Sequence, residues 1–249
     1  MFKIILANYR LIGEHGNRIF LTDLVEFDTS LINKNMDSIA DIRKDYKLQT
    51  LSESDVAADP ITQFGKWWQE ATDSQIDEVN ALTLATASTN GKPSARIVLL
   101  KGYDERGFVF FSNYQSHKAK ELAENPQATM VFFWKELERQ IRVEGIMEKI
   151  SEQESNAYFF SRPLGSQIGA WASPQSDVIT NRAIIEANEN RYKEKFTTEP
   201  MVRPDHWGGY RLKPQLIEFW QGRQSRLHDR LQYSLQPDNL SWMIERLAP

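Results

Sequence analysis

Residues 81–113 read ALTLATASTNGKPSARIVLLKGYDERGFVFFSN, and this stretch determines the fold class. Apolar residues alternate with small or polar ones over 81–88, which is the period of two that a half-buried strand requires. Residues 89–92 (TNGK) supply a tight hairpin turn, and a second strand follows over 94–101. Residues 104–107 (DERG) turn the chain again before a third strand over 108–113. The stretch therefore predicts three strands joined by short turns.

The flanking sequence adds helices and further strands. Asp59-Pro60 places an N-cap before a proline at the first helical position, and apolar residues follow at helical spacing from Ile61 to Ala71. Further along the chain we predict a helix over 118–124 capped by Ser116, strands over 129–134 and 140–149, a helix from a capping box at 151–154 to about residue 160, a helix over 182–196, and strands over 209–212, 216–221, 227–233 and 242–246.

About eight short strands interrupted by helices predict a β-rich α+β domain built on an antiparallel barrel. The sequence has neither βαβ alternation nor a G-x-G-x-x-G motif, which disfavours a doubly wound dinucleotide fold. Residues 36–47 predict a polar helix. Residues 1–35 lack a clean period, and two interpretations of them stay open: a mobile N-terminal arm, or sequence upstream of a true start at Met36.

Composition excludes several classes of site. The 249 residues contain no cysteine, which rules out disulfides, thiolate nucleophiles and cysteine-based metal centres. The four histidines show no metal-binding spacing, so we expect no metal. A net charge of −4 argues against a general nucleic-acid binder. No apolar run approaches the length of about 20 residues that spans a bilayer, so we expect a cytoplasmic protein without membrane contact.

Several cations stand where anions could bind. Strand alternation places Arg96 and Lys101 on opposite faces, where they could serve two different anions or could be solvated strand ends. Ser116-His117-Lys118 combines a hydroxyl, a lysine and a helix N-terminus, which suits phosphate, although an ordinary cap would look the same.

Two further groups are polar in an unusual way. On a strand, Arg226, His228 and Arg230 would point the same way, and their mutual repulsion predicts a ligand among them. Tyr158, Arg162 and Ser166 follow one another at intervals of four at a helix end, which again suits phosphate. Trp207 and Trp220 could stack on a flat ring or could belong to the core. These residues predict a protein that binds phosphorylated, aromatic small molecules, but they predict no reaction.

The same blocks resemble a known family. The segments RIVLLKGYDERGFVFFSNYQSHKAKEL, LERQIRVEG, YFFSRPLGSQIGAWASPQS, HWGGYRL, IEFWQG, RLHDR and IERLAP resemble pyridoxine (pyridoxamine) 5′-phosphate oxidase. The resemblance covers roughly 42–249 and leaves 1–35 without a counterpart. It implies an FMN-binding split β-barrel of Greek-key type with flanking helices over 59–249, an arm over 36–58 that covers the substrate, and a homodimer with FMN at the subunit interface.

The resemblance also implies roles for single residues. The flavin would be bordered or held by Arg96, Ile97, Val98, Leu99, Leu100, Lys101, Phe111, Ser112, His117, Lys118, Gln140, Gln175, Ser176, Trp220 and Arg230, with Gln175 and Ser176 reaching over from the partner subunit. The substrate would meet Arg43, Tyr46, Lys101, Tyr158, Arg162, Ser166, Arg226, Leu227 and His228, of which Arg226 and His228 would be catalytic. Relatives usually carry arginine where this chain has His117.

The implied reaction is oxidation of pyridoxine 5′-phosphate or pyridoxamine 5′-phosphate to pyridoxal 5′-phosphate. Molecular oxygen would reoxidise the flavin and yield hydrogen peroxide, and the amine substrate would also release ammonia. A flavin- or haem-binding split barrel without this activity is the alternative. Such a module would not need the cations at Lys101, Arg162 and Arg226 together.

Overall fold

The strands predicted around residues 81–113 open a nine-stranded antiparallel sheet in the computed structural model, which describes residues 45–249. The strands are β1 (Ala81–Ala87), β2 (Pro93–Leu99), β3 (Gly102–Asp104), β4 (Gly107–Asn113), β5 (Gln127–Trp134), β6 (Arg139–Lys149), β7 (Trp207–Gln221), β8 (Asp229–Leu235) and β9 (Trp242–Arg246). The predictions for residues 1–44, including the extension over 1–35 and the substrate contact of Arg43, lie outside the described residues.

The strand order explains why the sheet curls. Its main path runs β2-β1-β5-β6-β7-β4-β3, and β8 and β9 continue from the second half of β7. The two ends of the path, β2 and β3, are separated by only two residues of chain. The sheet must therefore bend until its ends approach each other, which gives a half-barrel. The predicted β-rich split-barrel class is confirmed.

Strand β7 is one element where the sequence predicted two, over 209–212 and 216–221. Pro214 interrupts the apolar pattern, but a bulge at Glu144/Gly145 of β6 accommodates it. A Cβ atom on Gly145 would lie 2.0 Å from the carbonyl oxygen of Lys213. Only glycine permits this close approach, so the strand continues past the proline.

The core fills the concave side of the sheet with aromatic and aliphatic residues. Phe64 lies at its centre, and its ring centroid is 4.8 Å from that of Phe108 and 5.3 Å from that of Phe132. Phe64 belongs to helix α1 (Pro60–Asp73), which starts as predicted because Asp59 accepts a hydrogen bond from the backbone N–H of Thr62. Truncating so buried an aromatic ring typically costs about 3–5 kcal/mol.

Four further helices flank the sheet: α2 (His117–Glu124), α3 (Glu152–Ser161), α4 (Leu164–Ala172) and α5 (Ala183–Thr198). The capping box of Ser151 and Glu154 at the start of α3 is present. Helix α4 was not predicted, because Gly165 and Gly169 weaken its helical propensity. Ser116 precedes α2, but its hydroxyl donates to the carbonyl of Asn113 rather than capping the helix.

Two local predictions were wrong. Residues 45–47, the end of the helix predicted over 36–47, have irregular backbone, whereas the earlier part of that helix lies outside the described chain. The strand predicted over 227–233 begins only at Asp229, and Arg226 belongs to a short 3-10 turn, Gln224–Arg226. Arg226 has φ +61°, in the left-handed region.

Candidate active site

A cavity of about 770 Å³ lies beside β2, the strand at one end of the sheet path. Strand β2, the end of β4, the start of α2, the α3–α4 junction and the segment after α4 form its walls. Its lining comprises Arg96, Ile97, Val98, Leu99, Lys101, Phe111, Ser112, His117, Lys118, Tyr158, Arg162, Pro163, Ser166, Gln175, Ser176 and Trp207. All of these except Pro163 and Trp207 were predicted as contacts of cofactor or substrate. Leu100, also predicted, is instead buried in the core.

Lys118 is a buried cation for which residues 45–249 supply no counter-charge. Its side chain is 9% exposed, and its Nζ donates to Ser112 Oγ (3.1 Å), Ser116 Oγ (3.3 Å) and Gln175 Oε1 (3.4 Å). No carboxylate among residues 45–249 forms an ion pair with it. Burial, assisted by the charge of Arg96, lowers the pKa of Lys118. An anion in this position would replace the missing counter-charge, and the N-terminal end of α2 would favour the same anion.

Arg96 differs from Lys118 because the protein supplies its partner. Its guanidinium donates to Thr86 Oγ1 (2.6 Å), Ser94 Oγ (2.5 Å) and Glu121 Oε2 (3.3 Å). Glu121 is buried, which opposes its ionisation, but hydrogen bonds from Ser94 and Thr86 and the nearby positive charges lower its pKa overall. Arg96 is therefore held rigidly at the cavity wall by a carboxylate that the sequence analysis missed.

His117 lies close to the same carboxylate. Its Nδ1 is 3.7 Å from Glu121 Oε1, and its side chain is 62% exposed. The spacing of four residues on α2 was the only sequence signal for this pair.

Arg162 is a second cation in the lining of the cavity. Its Nη1 is buried and has no hydrogen-bond partner among residues 45–249, and its guanidinium lies 4.4 Å from the ring centroid of Trp207. Burial lowers the pKa of Arg162. Tyr158 stacks on Phe111 with ring centroids 3.8 Å apart, and Ser166 and Lys101 lie exposed at the cavity edge. An unused, buried donor on a cation is a ready contact for a phosphate oxygen.

The remaining predicted residues form a separate group that does not line this cavity. Gln140, Trp220 and Arg230 are register partners across β6, β7 and β8. The ring of His228 lies 4.6 Å from that of Trp220, and Tyr46 approaches both rings, at 5.9 Å and 5.8 Å. We call Tyr46, Gln140, Trp220, Arg226, His228 and Arg230 the sheet-face group.

Three expectations about the predicted site residues need correction. Arg226 and His228 precede β8, so strand alternation does not align them with Arg230. Arg230 is also not an unneutralised cation, because its Nε donates to Glu218 Oε1 at 2.7 Å. Gln175 and Ser176 line the cavity from the same chain as Lys118, not from a partner subunit. Leu227 is exposed beside Arg226, which makes no ion pair within the described chain.

Sequence comparison identifies the family. The family described as "Pyridoxamine 5'-phosphate oxidase" matches residues 68–195, and "Pyridoxine 5'-phosphate oxidase C-terminal dimerisation region" matches residues 207–249. "Pyridoxine/pyridoxamine 5'-phosphate oxidase 1" of Ralstonia nicotianae is 59% identical over 214 residues, which cover 86% of this chain and all of that protein. The chain belongs to the pyridoxine/pyridoxamine 5′-phosphate oxidase family.

Other relatives of this oxidase family are consistent with the assignment. The oxidase of Trichormus variabilis is 55% identical over 212 residues, covering 85% of this chain and 99% of that protein. Among solved structures, PhzG of Burkholderia lata, in complex with tetrahydrophenazine-1-carboxylic acid, has a TM-score of 0.76 at 30% identity, with coverage of 83% and 100%. An FMN-binding protein of Nostoc punctiforme shares the fold, with a TM-score of 0.62, 18% identity and coverage of 78% and 100%.

The part of the chain that the structure describes contains neither a candidate metal site nor a candidate membrane-spanning helix. Residues 45–249 contain no cluster of histidine, aspartate and glutamate that could bind a metal ion. No helix in that range is long and apolar enough to cross a bilayer.

Proposed function

We propose that the protein is an FMN-dependent oxidase that converts pyridoxine 5′-phosphate or pyridoxamine 5′-phosphate to pyridoxal 5′-phosphate. Oxygen is the final electron acceptor, hydrogen peroxide is released, and the amine substrate also yields ammonia. One observation carries the proposal: a single cavity is lined by the buried Lys118 and by Arg162, whose Nη1 is buried, and neither cation has a carboxylate partner among the described residues. A phosphorylated cofactor and a phosphorylated substrate would supply one anion to each.

The cofactor side of the cavity suits FMN. Lys118, Ser112 and Gln175 would hold its phosphate, together with the N-terminal amides of α2. Arg96 would reinforce that contact from a guanidinium that Glu121 already fixes in place. FMN, when bound, supplies the electron acceptor for the substrate and returns the electrons to oxygen. The task of the protein is to place the two molecules and to balance their charges.

The substrate side would use the residues around Arg162. Its free Nη1, with Lys101 and Ser166 at the edge and the Tyr158 hydroxyl, would bind the substrate phosphate. This arrangement would anchor the ring at a fixed distance from the cofactor phosphate. A carboxylate ligand such as the one in the PhzG complex has no phosphate to place there.

The sheet-face group would complete the site from a second subunit. Trp220, Arg226, His228 and Arg230 all lie within the matched dimerisation region, residues 207–249, yet none of them lines the cavity of its own chain. In a homodimer, these residues and Gln140 would cover the cavity of the other subunit, and Arg226 and His228 would contact the substrate ring. Tyr46, the member of this group that belongs to the arm, packs against Trp220 and His228.

The direct test is a spectrum followed by a turnover assay. The purified protein should show flavin absorption, and pyridoxine 5′-phosphate added in air should yield an aldehyde product and an equal amount of peroxide. Pyridoxamine 5′-phosphate should release ammonia as well. A flavin-loaded protein that oxidises neither substrate would reject the oxidase and favour the flavin-binding alternative, whereas a haem spectrum would reject FMN.

A further inference from the structure

His228 carries a hydrogen bond that fixes the position of its proton. The backbone N–H of Arg223 donates to Nδ1 of His228 at 3.1 Å. A backbone amide can only donate, so Nδ1 must present its lone pair. The neutral imidazole therefore carries its proton on Nε2, and protonation at Nδ1 would break this contact.

Asp229 stabilises the turn that supplies this N–H by accepting hydrogen bonds. Its Oδ2 accepts from Arg223 Nη1 at 2.8 Å and from the backbone N–H of Leu51 at 3.1 Å, and its Oδ1 accepts from Arg246 Nη1 at 2.9 Å. Its side chain is 17% exposed, so water competes weakly for these contacts. Asp229 thus joins the arm, the turn after β7 and β9 at one carboxylate.

The turn depends on these hydrogen bonds because its backbone is strained. Ser225 and Arg226 both have left-handed conformations, with φ of +56° and +61°. A residue other than glycine is disfavoured in this conformation, because its Cβ atom crowds the following carbonyl oxygen. Without the Arg223–Asp229 contact, the turn could relax and withdraw the amide of Arg223 from His228.

The groups around His228 favour the neutral ring. Trp220 and Tyr46 pack against its ring, and among residues 45–249 the charges that act on it are those of Arg226 and Asp229. Burial and the charge of Arg226 lower the pKa of His228, and the opposing effect of Asp229 is smaller.

We propose that Asp229 is a positioning residue, which through Arg223 holds His228 as a neutral imidazole that offers an Nε2–H donor. The proposal rests on the proposed function, in which His228 contacts the substrate ring. His228 would then donate a hydrogen bond to an electron-rich atom of the substrate, and Nε2 would not accept a proton from it.

The first test needs no substrate, so it is independent of whether the protein is an oxidase. Nitrogen NMR of the full-length protein labelled with ¹⁵N-histidine distinguishes protonated from unprotonated ring nitrogens. The four histidines give few signals, and His228→Gln identifies those of residue 228. We expect Nδ1 unprotonated and Nε2 protonated at neutral pH. A protonated Nδ1 in the wild-type protein would overturn the proposal.

Three variants test the role of Asp229. Asp229→Asn and Arg223→Met should both convert the signals of residue 228 into a mixture of tautomers. Glu53→Gln is the matched control, because Glu53 also binds Arg246 but touches neither Arg223 nor His228. That control should leave the tautomer unchanged. If Asp229→Asn fails to fold, Arg223→Met still decides the question, since it spares the contacts of Asp229 with Leu51 and Arg246.

Turnover supplies a second readout. Asp229→Asn should lower kcat/KM for pyridoxine 5′-phosphate about tenfold, the effect of one misplaced hydrogen bond, while the flavin stays bound. Asp229→Glu should recover part of the loss together with the wild-type tautomer. A loss of activity with an unchanged tautomer in both Asp229→Asn and Arg223→Met would reduce Asp229 to a structural role and refute the proposal.

Discussion

Replacing Arg162 with methionine separates phosphate binding from structural support. Arg162 has a buried Nη1 without a hydrogen-bond partner and no carboxylate partner among residues 45–249. Methionine keeps much of the apolar side chain that packs near Trp207, but it removes the charge. The only strong partner proposed for this guanidinium is the substrate phosphate, so the loss should appear in substrate use.

The size of the effect follows from the kind of contact. Hydrogen bonds to charged groups contribute about 1.5–3 kcal/mol, which corresponds to a decrease of about 10- to 150-fold in kcat/KM for pyridoxine 5′-phosphate. The stability of the FMN-free protein should change little. Losing the cation–π contact costs about 0.5–2 kcal/mol, whereas removing an unsatisfied buried donor recovers about 1–3 kcal/mol.

The assay compares pyridoxine 5′-phosphate with pyridoxine, which lacks the phosphate. Arg162→Met should reduce turnover of the phosphorylated substrate far more than that of pyridoxine. Arg139→Met is the control: Arg139 is also a buried arginine, but Glu70 and Gln221 satisfy it and it lies outside the cavity. The control should lose stability and keep the preference for phosphate. Equal losses for both substrates in Arg162→Met would refute the assignment.

Three further substitutions address the cofactor and the sheet-face group. Lys118→Met should weaken FMN binding by about 1.5–3 kcal/mol, measured by titrating FMN-free protein, and unchanged affinity would place the phosphate elsewhere. His117→Arg should tighten FMN by about 1 kcal/mol, because arginine is a permanent cation with several donors, and identical titration curves would show that residue 117 faces solvent. Arg226→Ala should keep the flavin spectrum and lower kcat/KM, whereas a colourless protein would contradict its place over the substrate.

Local sequence rules were sufficient for most of the fold. Alternation and turn residues over 81–113 located β1, β2 and β4 within one or two residues, and Asp59-Pro60 located the start of α1. Helix α4 was missed for a local reason, its two glycines, but the error in β7 arose because a distant residue decides the outcome. Pro214 indicates a break in β7 until Gly145, on the neighbouring strand, provides the bulge that admits it.

In the candidate site, too, the sequence predicts some features, whereas others depend on residues that are distant in the chain. Most residues that line the cavity are ones that the resemblance to the oxidase family assigns to cofactor or substrate, and their contacts with either molecule stay predictions. The sequence could not show which cations lack partners. Arg96 and Arg230 are neutralised by Glu121 and Glu218, which are distant from them in the chain, whereas Arg162 has no such partner within the described residues. The Arg230–Glu218 pair depends on strand register and the Arg96–Glu121 pair on how α2 packs beside β2, and composition and spacing give neither.

The lowered pKa of Lys118 predicts that raising the pH increases the stability of the FMN-free protein and decreases its affinity for FMN. Burial, with the charge of Arg96, lowers its pKa from the ordinary value of 10.5. As pH rises between the lowered pKa and 10.5, the unfolded chain holds a proton that the folded FMN-free protein has lost, so stability attributable to Lys118 rises with pH. FMN affinity should fall over the same window, because the phosphate stays doubly charged above about pH 7 while its cationic partner disappears.

The comparison of wild type with Lys118→Met isolates these trends, since tyrosines with raised pKa values, such as Tyr233 at about 12, titrate alike in both proteins. Denaturant unfolding of the FMN-free proteins and FMN titrations between about pH 8 and 10.5 measure the two slopes. Parallel curves for wild type and Lys118→Met in both experiments would show that Lys118 neither suffers from burial nor binds the phosphate. Because a bound anion would offset the cost of burying this charge, we expect both slopes in the wild type and neither in Lys118→Met. A stability slope without an affinity slope would show that Lys118 is buried but does not bind the phosphate.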